Sequence, residues 1–186
     1  MNVERAPSDQ SRQAGFTLME VLVVIAIIAV AAAIAVPGIM NWLPNYKLKG
    51  AAREVYSAMQ KARSIAVKSN RSAAIVFIPA TNEYQLCDAW VSDACVGNKE
   101  TFSLDNFGNG IKFGHGNATS PVAGSGNPFP AKNISYTDNR VVFNSRGFGD
   151  EGNVYLDHQE NTTTYAIGSS NSGSIRILKW QGGDWQ

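Results

Sequence analysis

The sequence is poor in the residues that most chemistry needs. Two cysteines in 186 residues exclude a disulfide scaffold and a four-thiolate zinc site. Its two histidines, His115 and His158, lie far apart and fit no H-x-x-x-H pattern. Both are expected in loops, and neither has a serine or cysteine nucleophile context. The glycine-rich stretch 114–126 lacks G-K-[ST], so it is not a P-loop. Asp150, Glu151 and Asp157 are a thin case for Ca²⁺: EF-hand spacing is absent, and they read as solvated turn acids. No carboxylate pair stands out as acid and base. Charge is also scarce, at 17% of residues with a formal net of +1. That is too little for a disordered chain or a coiled coil, and too balanced for a globally basic nucleic-acid binder. No internal repeat of about 20–50 residues is present. Neither an enzyme nor a metal or cofactor site is expected.

What the chain does have is one long apolar run. Residues 16–40 read FTLMEVLVVIAIIAVAAAIAVPGIM, with Glu20 as the single charge. As a helix the run would reach about 37 Å, enough to cross a hydrocarbon core of about 30 Å. A soluble core helix seldom runs so far without a polar face. A cleaved secretory signal has an apolar region of only about 7–15 residues, and here fifteen largely polar residues precede the run. The pattern predicts a retained single membrane anchor. Glu20 is costly there, at least about 2.5–3.5 kcal/mol on insertion scales. Near the start of the run it can snorkel to the headgroups, or it can pair with a cation. No Lys or Arg lies between residues 16 and 40, so a partner must come from another chain or from a free α-amino group.

Gly15-Phe16-Thr17-Leu18-Met19-Glu20, preceded by a polar leader and followed by the apolar run, resembles the G-F-T-L-x-E cleavage site of type IV prepilins. The resemblance implies cleavage between Gly15 and Phe16 by a prepilin peptidase, with N-methylation of Phe16. Glu20 then becomes the fifth mature residue, which neutralises a neighbouring subunit's α-amine during filament assembly. Pro37 becomes the twenty-second, where such chains often carry a helix-kinking proline. The resemblance also implies a single-pass protein of a bacterial inner membrane, its head in the periplasm. Arg5 and Arg12 before the run against Lys47, Lys49 and Arg53 after it do not set that orientation by charge.

Beyond the run, Leu48, Ala52, Val55, Met59, Ala62 and Ala66 recur at spacings of four and three, with Tyr56 and Ile65 widening the stripe. This is the helical period, and the stripe should pack on a sheet. Pro37 and Pro44 predict a kink or local unwinding between them, and Gly50 a further weak point. Residues 42–71 carry seven cations against Glu54 alone, whereas residues 72–186 carry seven cations and eleven acids. Contact of Lys47 and Lys49 with anionic lipid is one use of the basic stem; acidic faces of neighbouring subunits are another.

The remainder reads as short strands between turn signals: 72–78, 84–87, 100–104, 110–113, 133–136, 140–144, 153–157, 163–167 and 174–180. Residues 114–130 read as a surface loop. The expected fold is therefore α+β, a long helix packed on an antiparallel, β-sandwich-like head. The segments are a leader (1–15), a transmembrane and assembly helix (16–40), an amphipathic continuation (41–71) and the head (72–186).

Phe143-Asn144-Ser145-Arg146-Gly147, Val154-Tyr155-Leu156 and Gly173-Ser174-Ile175-Arg176 resemble the C-terminal series of the GspH/FimT family of minor pseudopilins and minor pilins. That resemblance implies a subunit of a type II secretion pseudopilus or a type IV pilus. Its partners would be other pilin or pseudopilin subunits, the prepilin peptidase, an inner-membrane assembly platform and membrane lipid. In an oxidising periplasm, Cys87 and Cys95 are expected to pair. Some relatives resemble DNA-uptake pilins in which a G-R-x-R segment supplies basic contacts. Here Ser174 replaces the first Arg, leaving Arg176 and Lys179, three apart and therefore on opposite faces of a strand. An unprocessed, membrane-anchored periplasmic protein is the remaining alternative.

Overall fold

The computed structural model describes residues 15–123, 129–159 and 163–186, without the side chains of residues 37–41. The expected leader therefore lies outside the described residues except for Gly15, as does part of the 114–130 loop and the side chain of Pro37. Helix α1 runs from Leu18 to Ser69. By internal contacts the chain divides into two units, Met1–Met40 and Asn41–Gln186.

In the first unit, Leu18–Val36 is long and apolar enough to cross a membrane. All side chains from Gly15 to Val36 are exposed. An exposed nineteen-residue apolar helix has its driving force for burial unspent, which suits lipid or other helices as its surroundings.

Among the described residues the second unit contains the helix from Asn41 onward and eleven strands: β1 (Ala73–Ile78), β2 (Glu83–Cys87), β3 (Trp90–Val91), β4 (Ala94–Cys95), β5 (Lys99–Ser103), β6 (Ile111–Phe113), β7 (Arg140–Phe143), β8 (Gly152–His158), β9 (Thr164–Ser169), β10 (Ile175–Gln181) and β11 (Asp184–Trp185). A four-stranded sheet has the order β5-β2-β1-β7, a five-stranded sheet the order β11-β10-β9-β8-β6, and β3-β4 is a separate hairpin. All pairings are antiparallel.

One core joins the helix to both sheets. Leu48, Ala52, Val55, Met59, Ala62 and Ala66 are fully buried, among Ile75 and Phe77 of β1, Phe143 of β7, Leu156 of β8 and Ile167 of β9. Ala51 and Ala58 are buried beside them. Alanines along this face keep the helix surface shallow, so large side chains from the strands can close over it. The fold is α+β, as the patterning predicts.

Several local expectations need correction. The helix assignment is continuous through Pro37, Pro44 and Gly50, so no unwound segment separates the two prolines. Gly50 has a packing reason: an added Cβ would come within 3.2 Å of the Phe107 ring. Residues 133–136 form no strand. Ile134 makes a single bridge to Val154, and the left-handed backbone of Asn133, Asp138 and Asn139 breaks the pleat on either side. Tyr136 instead turns inward, its ring stacked on Phe77 and its hydroxyl accepting from the Ser169 N–H at 2.9 Å.

Two hairpins are new. Ser92 and Asp93, both at positive φ, turn β3 into β4, and Gly182 and Gly183 turn β10 into β11. Two successive left-handed residues are the requirement of a tight hairpin turn matching strand twist. Ser-Asp is a weak signal for such a turn; Gly-Gly is a strong one.

Candidate functional site

Thr17 precedes the first helical residue, and its Oγ1 accepts a hydrogen bond from the Glu20 N–H at 3.2 Å. Thr17 is thus the helix N-cap and Glu20 the third helical residue, the T-x-x-E arrangement of a capping box. The four-residue pattern was readable in the sequence. The cap gives Glu20 a local role besides any intermolecular one: its carboxylate sits in the first turn, where the helix dipole favours negative charge. Phe16 is 83% exposed. Gly15, Phe16 and Glu20 therefore stand together at one exposed helix terminus.

In the head, Cys87 and Cys95 are joined by a disulfide, with Cα atoms 5.8 Å apart. Asp88 locks the mouth of this loop: its carboxylate accepts from the Asn98 backbone N–H at 2.7 Å and from the Asn98 side chain at 2.8 Å. These bonds, the side-chain one foremost, hold the Asp88 carboxyl below the usual range. Arg140 braces the hairpin from β7. Its guanidinium lies over the Trp90 ring, 5.8 Å from the centroid, and pairs with Asp93 at 2.7 Å and with Asp138. Sequence reasoning missed this brace, because Arg140 and Asp93 are 47 positions apart.

The turn acids behave differently from one another. Asp150 accepts from the Val142 N–H at 2.9 Å, and Glu151 from Asn171 at 3.1 Å. Asp157 is not a solvated turn acid. It sits on β8 at 7% exposure, and its Oδ1 has no hydrogen-bond partner among the described residues. Burial pushes its carboxyl up; Lys112, His115 and the Gly116 N–H act against that rise. The register explains the burial, since Asp157 pairs with Lys112 on one side and Thr164 on the other, inside the sheet. His158, expected in a loop, ends the same strand and is also buried. His115 is in a loop, its ring stacked 4.0 Å from Phe129. Among the described residues no three His, Cys, Asp or Glu side chains converge as metal ligands.

Arg176 and Lys179 do not meet. On β10, Ile175 and Ile177 face the main core, while Leu178 packs on a second cluster around Val122, Tyr155 and Ala166. Lys179 shares the face of Ile177, and Arg176 points the other way. Gly173, at the start of the same motif, has a structural task. It stands at φ +77, so close to the Gly147 carbonyl that an added Cβ would lie 1.8 Å from the oxygen. The same oxygen accepts a hydrogen bond from Arg63 Nε of the helix at 2.9 Å. The two motif glycines thus pack against each other and are tied to α1.

Comparison with known proteins gives matches at both ends of the chain. The family model described as a prokaryotic N-terminal methylation motif matches residues 10–36, and the model of the type II transport protein GspH matches residues 51–173. Among curated proteins nothing matches. The solved type IV minor pilin FimU of Pseudomonas aeruginosa is similar at 14% identity and a TM-score of 0.51, over 76% of this chain and 94% of that one. A second crystal form gives 13%, 0.50, 75% and 97%. For the minor pseudopilin EpsH of the Vibrio cholerae type 2 secretion system the values are 14%, 0.49, 71% and 96%. At such identities the FimU likeness is one of fold.

Proposed function

Because the chain belongs to the GspH family of type II transport proteins, we propose that it works as a structural subunit of a filament machine, a minor pseudopilin or minor pilin. Prepilin peptidase cuts between Gly15 and Phe16, and Phe16 is methylated. Until assembly, Leu18–Val36 holds the chain in the inner membrane with its head in the periplasm. An assembly platform there passes it to the other subunits. The filament is a type II secretion pseudopilus or a type IV pilus.

The observation that carries this reading is the exposed terminus where Thr17 caps a helix bearing Glu20. A carboxylate at this depth is costly. Residues 16–40 offer it no basic side chain. A chain beginning at Phe16 supplies the missing cation as its α-amine, and a neighbour's amine at the same depth neutralises Glu20 and sets the register between helices. A bend at Pro37 would let the apolar helix follow its neighbours.

Mass spectrometry of the membrane-extracted protein tests the processing step. The expected chain begins at Phe16 with one added methyl group; a chain beginning at Met1 overturns the mechanism. Glu20→Ala should leave cleavage intact while filament incorporation drops at least tenfold. Normal incorporation of that variant refutes the pairing role.

A further inference from the structure

A basic concavity of about 500 Å³ lies between α1 and the five-stranded sheet, wholly within the second unit. Lys49 and Arg53 line it from the helix and Lys179 from β10. They are 130 and 126 residues from Lys179 in sequence, so only the fold brings them together. Lys49 and Arg53 are four apart, neighbours on one helix face, and like charges at that spacing oppose the helix. Lys179 adds a third positive charge. Among the described residues no carboxylate lines the concavity, and none of the three cations makes a salt bridge. Lys179 instead donates to the neutral Gln181 side chain at 3.3 Å. Such an arrangement is relieved by an anion, and a guanidinium beside two ammonium groups matches the oxygens of a phosphate.

The rim says which phosphate. Trp42 and Tyr46, 59% and 60% exposed, stack with ring centroids 5.0 Å apart. In sequence Trp42 follows Val36, the last residue of the apolar span, by six positions. Exposed Trp and Tyr just beyond an apolar span are the side chains that settle at the headgroup level of a bilayer.

We infer that Lys49, Arg53 and Lys179 form a binding site for the phosphate of an anionic phospholipid, with Trp42 and Tyr46 resting in the headgroup layer. The site takes the one basic residue of β10 that faces the helix and leaves Arg176 out. It rests on the membrane-anchored reading above, and it would hold the head against the bilayer until the subunit is taken into a filament.

The test uses the full chain in non-ionic detergent, titrated calorimetrically with short-chain phosphatidylglycerol, short-chain phosphatidylcholine, inorganic phosphate and a DNA duplex. Saturable binding of phosphatidylglycerol, at least tenfold tighter than of the other three, is expected. Each of Lys49→Gln, Arg53→Gln and Lys179→Gln should weaken it about fivefold, and the three together about 100-fold. Arg176→Gln should leave it unchanged. Equal affinity for the two lipids, or a triple variant that binds like wild type, overturns the site. Inorganic phosphate or duplex binding as tightly as phosphatidylglycerol overturns the lipid assignment. Alkaline carbonate extraction of cell membranes reads the anchor separately. A chain that stays with the membranes but shows no phosphatidylglycerol preference overturns the lipid site alone. A chain that washes off overturns the anchored reading and the lipid assignment with it.

Discussion

Replacing Gly173 by alanine should be among the most destabilising single changes that add only one carbon. At φ +77, an L-residue costs roughly 1–2 kcal/mol more than glycine. The new Cβ would lie 1.8 Å from the Gly147 carbonyl oxygen, where real Cβ contacts essentially never fall below 3.0 Å. The backbone must therefore move by more than an ångström, and overpacking of that kind costs about 1–3 kcal/mol. Moving the carbonyl also strains its hydrogen bond from Arg63, at about 1.5 kcal/mol for a charged donor. The sum is about 3.5–6.5 kcal/mol, a large part of the roughly 5–15 kcal/mol that holds a domain folded. Gly182 is the internal control, since it too has a positive φ, +66, but nothing lies within 4 Å of an added Cβ. Gly182→Ala should cost only the conformational share, roughly 1–2 kcal/mol. Urea unfolding of the full chain in detergent, followed by circular dichroism, reads both as shifts of the midpoint at constant slope. If Gly173→Ala costs no more than Gly182→Ala, the contact between the two motif glycines is not what demands glycine there.

The disulfide and a buried acid provide further tests. Changing Cys87 and Cys95 together to serine opens a loop of eight-residue separation and should cost about 2–3 kcal/mol; reductant should lower the wild-type urea midpoint equally and leave the variant unmoved. Burial raises the folded-state carboxyl of Asp157, so the folded chain holds its proton to higher pH than the unfolded chain, and stability falls as pH rises through that window. Asp157→Asn removes this fall. The variant should melt higher than wild type at neutral pH, with the gap closing as pH falls through the raised carboxyl's range and gone below the ordinary carboxylate range. A gap that is constant with pH would show that ionisation of Asp157 is not the cause.

The elements legible in the sequence were those with a local cause. The apolar run and the stripe from Leu48 to Ala66 each depend on residues within a few turns of one another, so period and spacing suffice to read them. Most strands were placed to within a residue or two for the same reason. The segment 133–136 failed because three left-handed residues around it outweigh the β-propensity of Ile134 and Tyr136. Unwinding at Pro37 and Pro44 failed because the helix continues through both.

What tertiary structure alone decided is what stands opposite what. Strand β1 pairs with β7 more than sixty residues later. Arg140 reaches Asp93, Gly173 meets Gly147, and Asp157, outwardly a turn acid, is drawn into the sheet between Lys112 and Thr164. Spacing already puts Arg176 and Lys179 on opposite faces of one strand, but only the fold sets Lys179 across from Lys49 and Arg53. Helical period and capping are short-range properties of a chain. Register and sheet order depend on burying one common core, and no local pattern encodes which distant charges that burial will leave facing each other.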